Sequence, residues 1–183
     1  GNWWPLGLSL PVLTWLCVYP LMKRVTWSCH LWLGASLAMS PVAAALAVSP
    51  ASLSAQPAIW IMASMVLCWV AGFDVIYALQ DQDVDQREGL HSIPSRFGTT
   101  GALRLSRFLH LVAGAGLILV WWIDPRFGPV FLAAVVLACV LLVIEHLTVE
   151  RWGTTRMALT FFTLNGVVSC IIGAAGILDL AWS

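Results

Sequence analysis

The chain has 183 residues, 60% of them hydrophobic and 10% charged, where a soluble domain carries about 25% charged residues. Nine basic and nine acidic side chains cancel, so no basic field points to nucleic acid, and a mean hydropathy of +0.88 excludes a disordered chain, a collagen-like chain and an ordinary soluble globule. The five cysteines are scattered, with no C-x-x-C among them, which argues against a disulfide framework or a zinc site and for small buried hydrophobes.

A membrane-spanning helix needs about 20 mostly apolar residues. The first such run covers residues 1–22 and carries no charge. Neither a Met nor a basic flank precedes it, so it does not read as a signal peptide, and the chain is expected to be part of a longer protein. Lys23 and Arg24 close the run. A second run covers residues 30–48, and a third covers 59–79, interrupted only by Asp74. Three more follow at 105–123, 127–144 and 157–178. Period-2 alternation of the barrel type is absent. The sequence therefore predicts an all-α fold, a polytopic transmembrane bundle of six spans forming one transmembrane domain over residues 1–183. Pro11, Pro20 and Pro41 fall in or near spans, where neighbouring helices can satisfy the freed carbonyls.

Charge orients the spans. Lys23, Arg24, Arg87, Arg96, Arg104, Arg107, Arg151 and Arg156 all fall at one side, and of the nine basic residues only Arg126 falls at the other, beside Asp124. By the positive-inside rule the basic side is cytoplasmic. Trp3, Trp4, Trp60, Trp121, Trp122 and Trp182 near the outer ends, with Trp27 and Trp152 near the inner ones, suit two aromatic belts.

The long polar segment, residues 80–104, is where chemistry is expected. Continued as a helix from the third run, the offsets of 3, 7 and 11 residues place Asp74, Tyr77, Asp81 and Asp85 on one stripe. Asp74 within the bilayer requires a cavity or a partner. Asp81 and Asp85 at i, i+4 repel, and a divalent cation removes that repulsion. Mg²⁺ suits such a pair, because it takes one or two carboxylates together with phosphate oxygens and water. A solvated acidic helix end is the alternative. On the same side Tyr19, Lys23 and Arg24 close the first span, either as phosphate ligands or as membrane anchors. Arg96, in the turn-rich stretch 87–98, is placed to reach the same phosphate. Elsewhere, His110 is expected to be a satisfied helix residue. Glu145, His146 and Glu150 are expected on a solvated face, and Asn165 in an interhelical hydrogen bond or lining a cavity.

Tyr19-Pro-Leu-Met-Lys23-Arg24, then Asp74-Val-Ile-Tyr77-Ala78-Leu-Gln-Asp81-Gln-Asp-Val-Asp85, then Gly89-Leu-His-Ser92-Ile-Pro94 and Phe97-Gly98, closely resemble the UbiA superfamily of intramembrane aromatic prenyltransferases. The match is best to the 4-hydroxybenzoate polyprenyltransferase branch, with a weaker likeness to enzymes of menaquinone synthesis. The resemblance implies nine helices around a central cavity, of which this chain supplies the last six. It implies that an aspartate-rich motif on the second helix lies outside this chain. It assigns Asp81 and Asp85 to Mg²⁺. It also assigns Tyr19, Lys23 and Arg24 to the diphosphate, with Asp74 and Tyr77 in the stem of the second motif.

The expected function is transfer of a polyprenyl group from its diphosphate to an aromatic acid resembling 4-hydroxybenzoate, in quinone biosynthesis. The site residues are Lys23, Asp81 and Asp85 as the catalytic set and Tyr19, Lys23, Arg24, Asp74, Tyr77 and Arg96 as the substrate-binding set. The expected partners are polyprenyl diphosphate, an aromatic acid and the lipid bilayer, with no nucleic acid. The protein is expected to be integral to the inner or plasma membrane, its site facing the cytoplasm. The alternatives are naphthoate prenylation in menaquinone synthesis, a transporter, or an inactive fragment. An acidic cluster confined to one membrane face argues against transport, whose sites lie near the midplane.

Overall fold

The computed structural model describes residues 2–157 and 162–182. Among these residues every regular element is helical. Six segments are long and apolar enough to cross a membrane, running Trp4–Met22, Cys29–Val48, Pro57–Arg87, Ile93–Ile123, Pro129–Arg156 and Phe162–Trp182. The protein is an integral membrane helical bundle.

In chain order the elements are α1 (Trp4–Met22), α2 (Cys29–Val48), the short α3 (Ser52–Ala55), α4 (Pro57–Tyr77), α5 (Gln82–Arg87), α6 (Ile93–Ile123), α7 (Pro129–Trp152) and α8 (Asn165–Trp182). Proline opens α1, α4, α6 and α7 within the first two positions, where its missing N–H would be unpaired anyway. Helix α4 is central, packed between α2 and α6. Two glycines make that closeness possible. A Cβ on Gly34 would run into the Leu67 carbonyl, and one on Gly72 into the His110 ring. Small residues that let backbones approach are how helices associate where lipid removes the hydrophobic drive. Helix α1 buries none of its residues and packs on α2.

Two apolar clusters hold the bundle. One joins Met65, Leu117, Val120, Phe131, Val135 and Val168. The other, which includes Val75, Ile76, Leu79, Ile93, Val149 and Met157, packs together the residues that flank the polar segment.

The structure revises three expectations. The acidic stripe does not lie on one continuous helix. Helix α4 stops at Tyr77, a 3₁₀ turn spans Ala78–Asp81, and α5 begins at Gln82. A 3₁₀ turn advances about 120° per residue instead of about 100°, so Asp81 and Asp85 swing away from Asp74. The fourth span begins at Ile93, well before residue 105, and breaks at Gly98 (φ 68°), a conformation that favours glycine. The fifth span runs on to Trp152, because Glu145 and His146 are buried in the bundle (1% and 9% exposed) and not solvated. The expected sixth run falls partly on residues 158–161, which lie outside the described residues; α8 begins at Asn165.

Candidate functional site

The connection after α4 brings the acidic pair to the end of α1. The turn that follows α1 places Lys23 Nζ 3.0 Å from Asp85 Oδ1 and 3.4 Å from Asp81 Oδ2. One ammonium thus faces two carboxylates four residues apart, Asp81 at the end of the 3₁₀ turn and Asp85 on α5. Burial alone would lower the Lys23 pKa, but hydrogen bonding and attraction to Asp85, then Asp81, outweigh it and raise the value above that of an ordinary lysine. The two carboxylates differ in setting. The Asp81 side chain is 47% exposed and that of Asp85 2%. The second oxygen of Asp85, Oδ2, is buried without a hydrogen-bond partner. A buried carboxylate oxygen in that condition needs a cation or a donor.

Backbone bonds fix this geometry. The Leu90 N–H donates to Asp85 O (2.8 Å) and the His91 N–H to Lys23 O (2.6 Å), so the loop after α5 is tied to both sides of the ion cluster. A capping box starts α6: Ser92 Oγ accepts from the Ser95 N–H at 3.2 Å, and Ser95 Oγ from the Ser92 N–H at 2.9 Å. The first turn of α6 delivers Arg96. Its guanidinium lies 5.5 Å from the ring centroids of both Trp27 and Phe97, a cation–π arrangement that holds the charge near the rim. Asp85, Trp27, His91, Ser95 and Arg96 line one cavity of about 360 Å³.

Of the residues expected from sequence, Lys23, Asp81 and Asp85 come together, and Arg96 shares the cavity with Asp85. Arg24 is exposed on the turn after α1. Tyr19 is half-buried, within electrostatic reach of Asp74 and Cys29. Tyr77 packs with the apolar cluster that flanks the polar segment. Asp74 does not join the acidic pair. It is buried, with Oδ2 2.7 Å from His30 Nδ1. Sequence reasoning missed His30. The available signal was that Asp74 needed a partner from another helix, and His30 is the ionisable residue inside the second run.

Deeper in the bundle lies a second polar group. Asn165 Nδ2 donates to Glu145 Oε1 (3.2 Å), Trp69 Nε1 donates to Asn165 Oδ1 (2.9 Å), and His110 Nδ1 lies 3.0 Å from His146 Nε2. The interhelical bond expected for Asn165 is present, whereas His110 Nε2 has no hydrogen-bond partner. Among the described residues no cluster of three or more His, Cys, Asp or Glu is arranged to hold a metal ion.

Residues 1–167 match the UbiA prenyltransferase family. The chain belongs to the UbiA prenyltransferase family. Its curated relatives include the 4-hydroxybenzoate octaprenyltransferase of Yersinia pseudotuberculosis serotype O:1b (strain IP 31758), 35% identical over 111 residues. That match covers 58% of this chain and 38% of the relative. The enzyme of the same name from Serratia proteamaculans (strain 568) is 33% identical over 116 residues, 63% of this chain and 38% of the relative. The apo structure of a UbiA homolog from Aeropyrum pernix K1 superposes with a TM-score of 0.80 at 32% identity, over 94% of this chain and 63% of that one. The matched stretch thus spans well under half the length of the curated UbiA relatives.

Proposed function

We propose that the complete protein is a Mg²⁺-dependent prenyltransferase that moves a polyprenyl group from its diphosphate to an aromatic acid of the 4-hydroxybenzoate type. The single observation that carries this reading is the convergence of Lys23, Asp81 and Asp85, with Asp85 Oδ2 buried and unpartnered and Asp85 and Arg96 lining one cavity. Membership of the UbiA family and relatives named 4-hydroxybenzoate octaprenyltransferase support it. The donor set suits the metal. Two carboxylates at one rim, one with an unpartnered oxygen, are hard oxygen ligands of the kind Mg²⁺ takes alongside phosphate oxygens and water.

When bound by Asp81 and Asp85, Mg²⁺ supplies charge neutralisation for a diphosphate leaving group. Lys23 adds a point charge beside the same two carboxylates, and Arg96 adds a planar fork held by aromatic rings. Positive charge placed in advance where negative charge develops is the largest source of acceleration in many such steps. In the transfer the allylic C–O bond breaks with its electron pair leaving on diphosphate, a C–C bond to the aromatic ring forms, and the displaced ring proton passes to the released diphosphate. Tyr19 and Arg24 are assigned to the diphosphate side of the site. Eight of the nine basic residues at this rim support a cytoplasmic orientation in the inner or plasma membrane.

The test is an assay of the complete protein in lipid with polyprenyl diphosphate and Mg²⁺, offering 4-hydroxybenzoate and a hydroxynaphthoate side by side. Prenylated 4-hydroxybenzoate that disappears with EDTA and in Asp85→Asn supports the reading. Product from the naphthoate alone moves the protein to the menaquinone branch. Full turnover by Asp85→Asn removes the metal assignment.

A further inference from the structure

We propose that His30 is a positioning residue for the diphosphate rim, acting through Asp74 and the first turn of α6; the functional half of this inference rests on the reading of the rim given above. His30 stands at the start of α2 and is 1% exposed. Its two ring nitrogens serve two different elements. Nδ1 lies 2.7 Å from Asp74 Oδ2 on α4, and Nε2 lies 3.3 Å from the backbone nitrogen of Ile93, the first residue of α6. With Nε2 accepting from the Ile93 N–H, the ring proton sits on Nδ1 and is donated to Asp74.

Accounting for the first N–H groups of α6 shows why that contact matters. The opening N–H groups of a helix have no carbonyl one turn back. The Ser92 and Ser95 N–H groups are satisfied by each other's hydroxyls. Pro94 has no N–H, and the Arg96 N–H reaches Ser92 O at 3.1 Å. That leaves Ile93, which is 0% exposed and so out of reach of solvent. His30 supplies its acceptor. Asp74 in turn fixes the ring orientation that makes Nε2 available. Asp74 is thereby committed to holding the scaffold, which is a different task from contacting substrate.

The consequence reaches the rim. The turn anchored through Ile93 carries Ser95 and Arg96 into the cavity shared with Asp85. The residues just before it are tied to Asp85 O through Leu90 and to Lys23 O through His91. Cys29, next to His30, adds a weak contact from Sγ to His91 O at 3.6 Å. His30 therefore sets where the start of α6, with its guanidinium, sits relative to the Lys23–Asp81–Asp85 cluster.

The experiment uses the complete protein in lipid nanodiscs with three variants. His30→Leu removes both contacts. His30→Asn keeps a donor for Asp74 but is too short to reach Ile93. His30→Gln offers a donor and an acceptor on one longer side chain. Backbone hydrogen exchange over residues 90–97 is read beside KM for polyprenyl diphosphate and for the aromatic acid. His30→Asn is expected to raise exchange in that segment and KM for the diphosphate about tenfold each, the cost of one lost buried hydrogen bond, and His30→Leu, which loses both, at least as much. KM for the aromatic acid stays within about twofold on the same argument, and His30→Gln recovers most of both losses. Wild-type exchange over 90–97 in His30→Asn overturns the proposal. So does an equal rise in both KM values, and so does a His30→Gln that behaves as His30→Leu. If the wild-type protein transfers no prenyl group, the functional reading of the rim fails while the exchange result still decides the positioning claim.

Discussion

The two ends of the bundle both carry acidic residues, and they use them differently. At the end opposite the rim, Asp179 Oδ2 accepts from the Gly128 N–H at 2.7 Å and the Phe131 N–H at 2.8 Å, closing the start of α7. There too Asp124 pairs with Arg126 through Nη2 (2.6 Å) and Nε (2.9 Å), and Arg126 continues to Gln56. Each carboxylate at that end has donors suited to it. At the rim two carboxylates face one ammonium, and one buried oxygen remains unpartnered. Donor sets that close on themselves hold a fold together. A set with spare acceptor capacity next to a cavity is built to take something more.

The sharpest way to break this contrast is to remove the spare capacity. In the complete protein Asp85→Asn is expected to lower prenyl transfer about 10³-fold and Asp81→Asn about 10²-fold, magnitudes typical of losing preorganised charge stabilisation. The order follows from exposure, since water can stand in at the exposed Asp81 but not at buried Asp85. Steady-state rates at saturating Mg²⁺ check it, and equal losses would show that burial does not separate the two carboxylates. Next in size is Lys23→Met, expected to raise KM for polyprenyl diphosphate about tenfold to a hundredfold, as for a lost charge-assisted contact. It also leaves the carboxylates to repel each other. Its thermal midpoint without divalent cation should fall, and Mg²⁺ should restore more of it than in the wild type. Identical Mg²⁺ responses in the two proteins would show that Lys23 does not share the carboxylates with a cation.

What the sequence made legible follows the same division. Runs of apolar residues located the spans, because the bilayer demands length and hydropathy and little else. The Asp81–Asp85 pair and Lys23 stood out because charge is scarce in this chain. The local turn between α4 and α5 was not legible, since Ala78-Leu-Gln-Asp81 reads equally well as α-helix or 3₁₀ and packing decides. Partners across helices were also hidden. Asp74 was recognised as needing a partner, but His30 lies 44 residues earlier in sequence. Glu145 and His146 read as solvated because they follow an apolar run, whereas α6 and α8 supply the groups that bury them.

A smaller effect is expected where the carboxylate only closes a helix. Asp179→Ala strands the N–H groups of Gly128 and Phe131, and Phe131 is 1% exposed. Losing a buried acceptor costs about 1–3 kcal/mol. The thermal midpoint in detergent should drop, while kcat and KM of the folded fraction stay at wild-type values. A KM shift for the diphosphate would mean that the two ends are coupled through α7 or α8.

The smallest effect belongs to the Asp124–Arg126 pair, and its pH dependence has a definite sign. The hydrogen bond from Arg126 is the main reason the Asp124 carboxyl sits below the usual carboxylate range, with burial working against it. A depressed acid binds fewer protons in the folded protein than in the unfolded one, so stability rises with pH across that interval. The contribution is complete above the unfolded value of about 4. It is lost as pH falls through the lower folded value. The Arg126 side chain is 50% exposed, so solvent screening holds the pair to within about 1 kcal/mol. Arg126→Ala should therefore be slightly less stable than wild type from pH 5 to 8, with no slope across that range, and the gap should narrow near pH 3. The narrowing stops short of zero, because the contact to Gln56 does not titrate. A gap that widened on acidification would mean that Asp124 takes its charge stabilisation from a group other than Arg126.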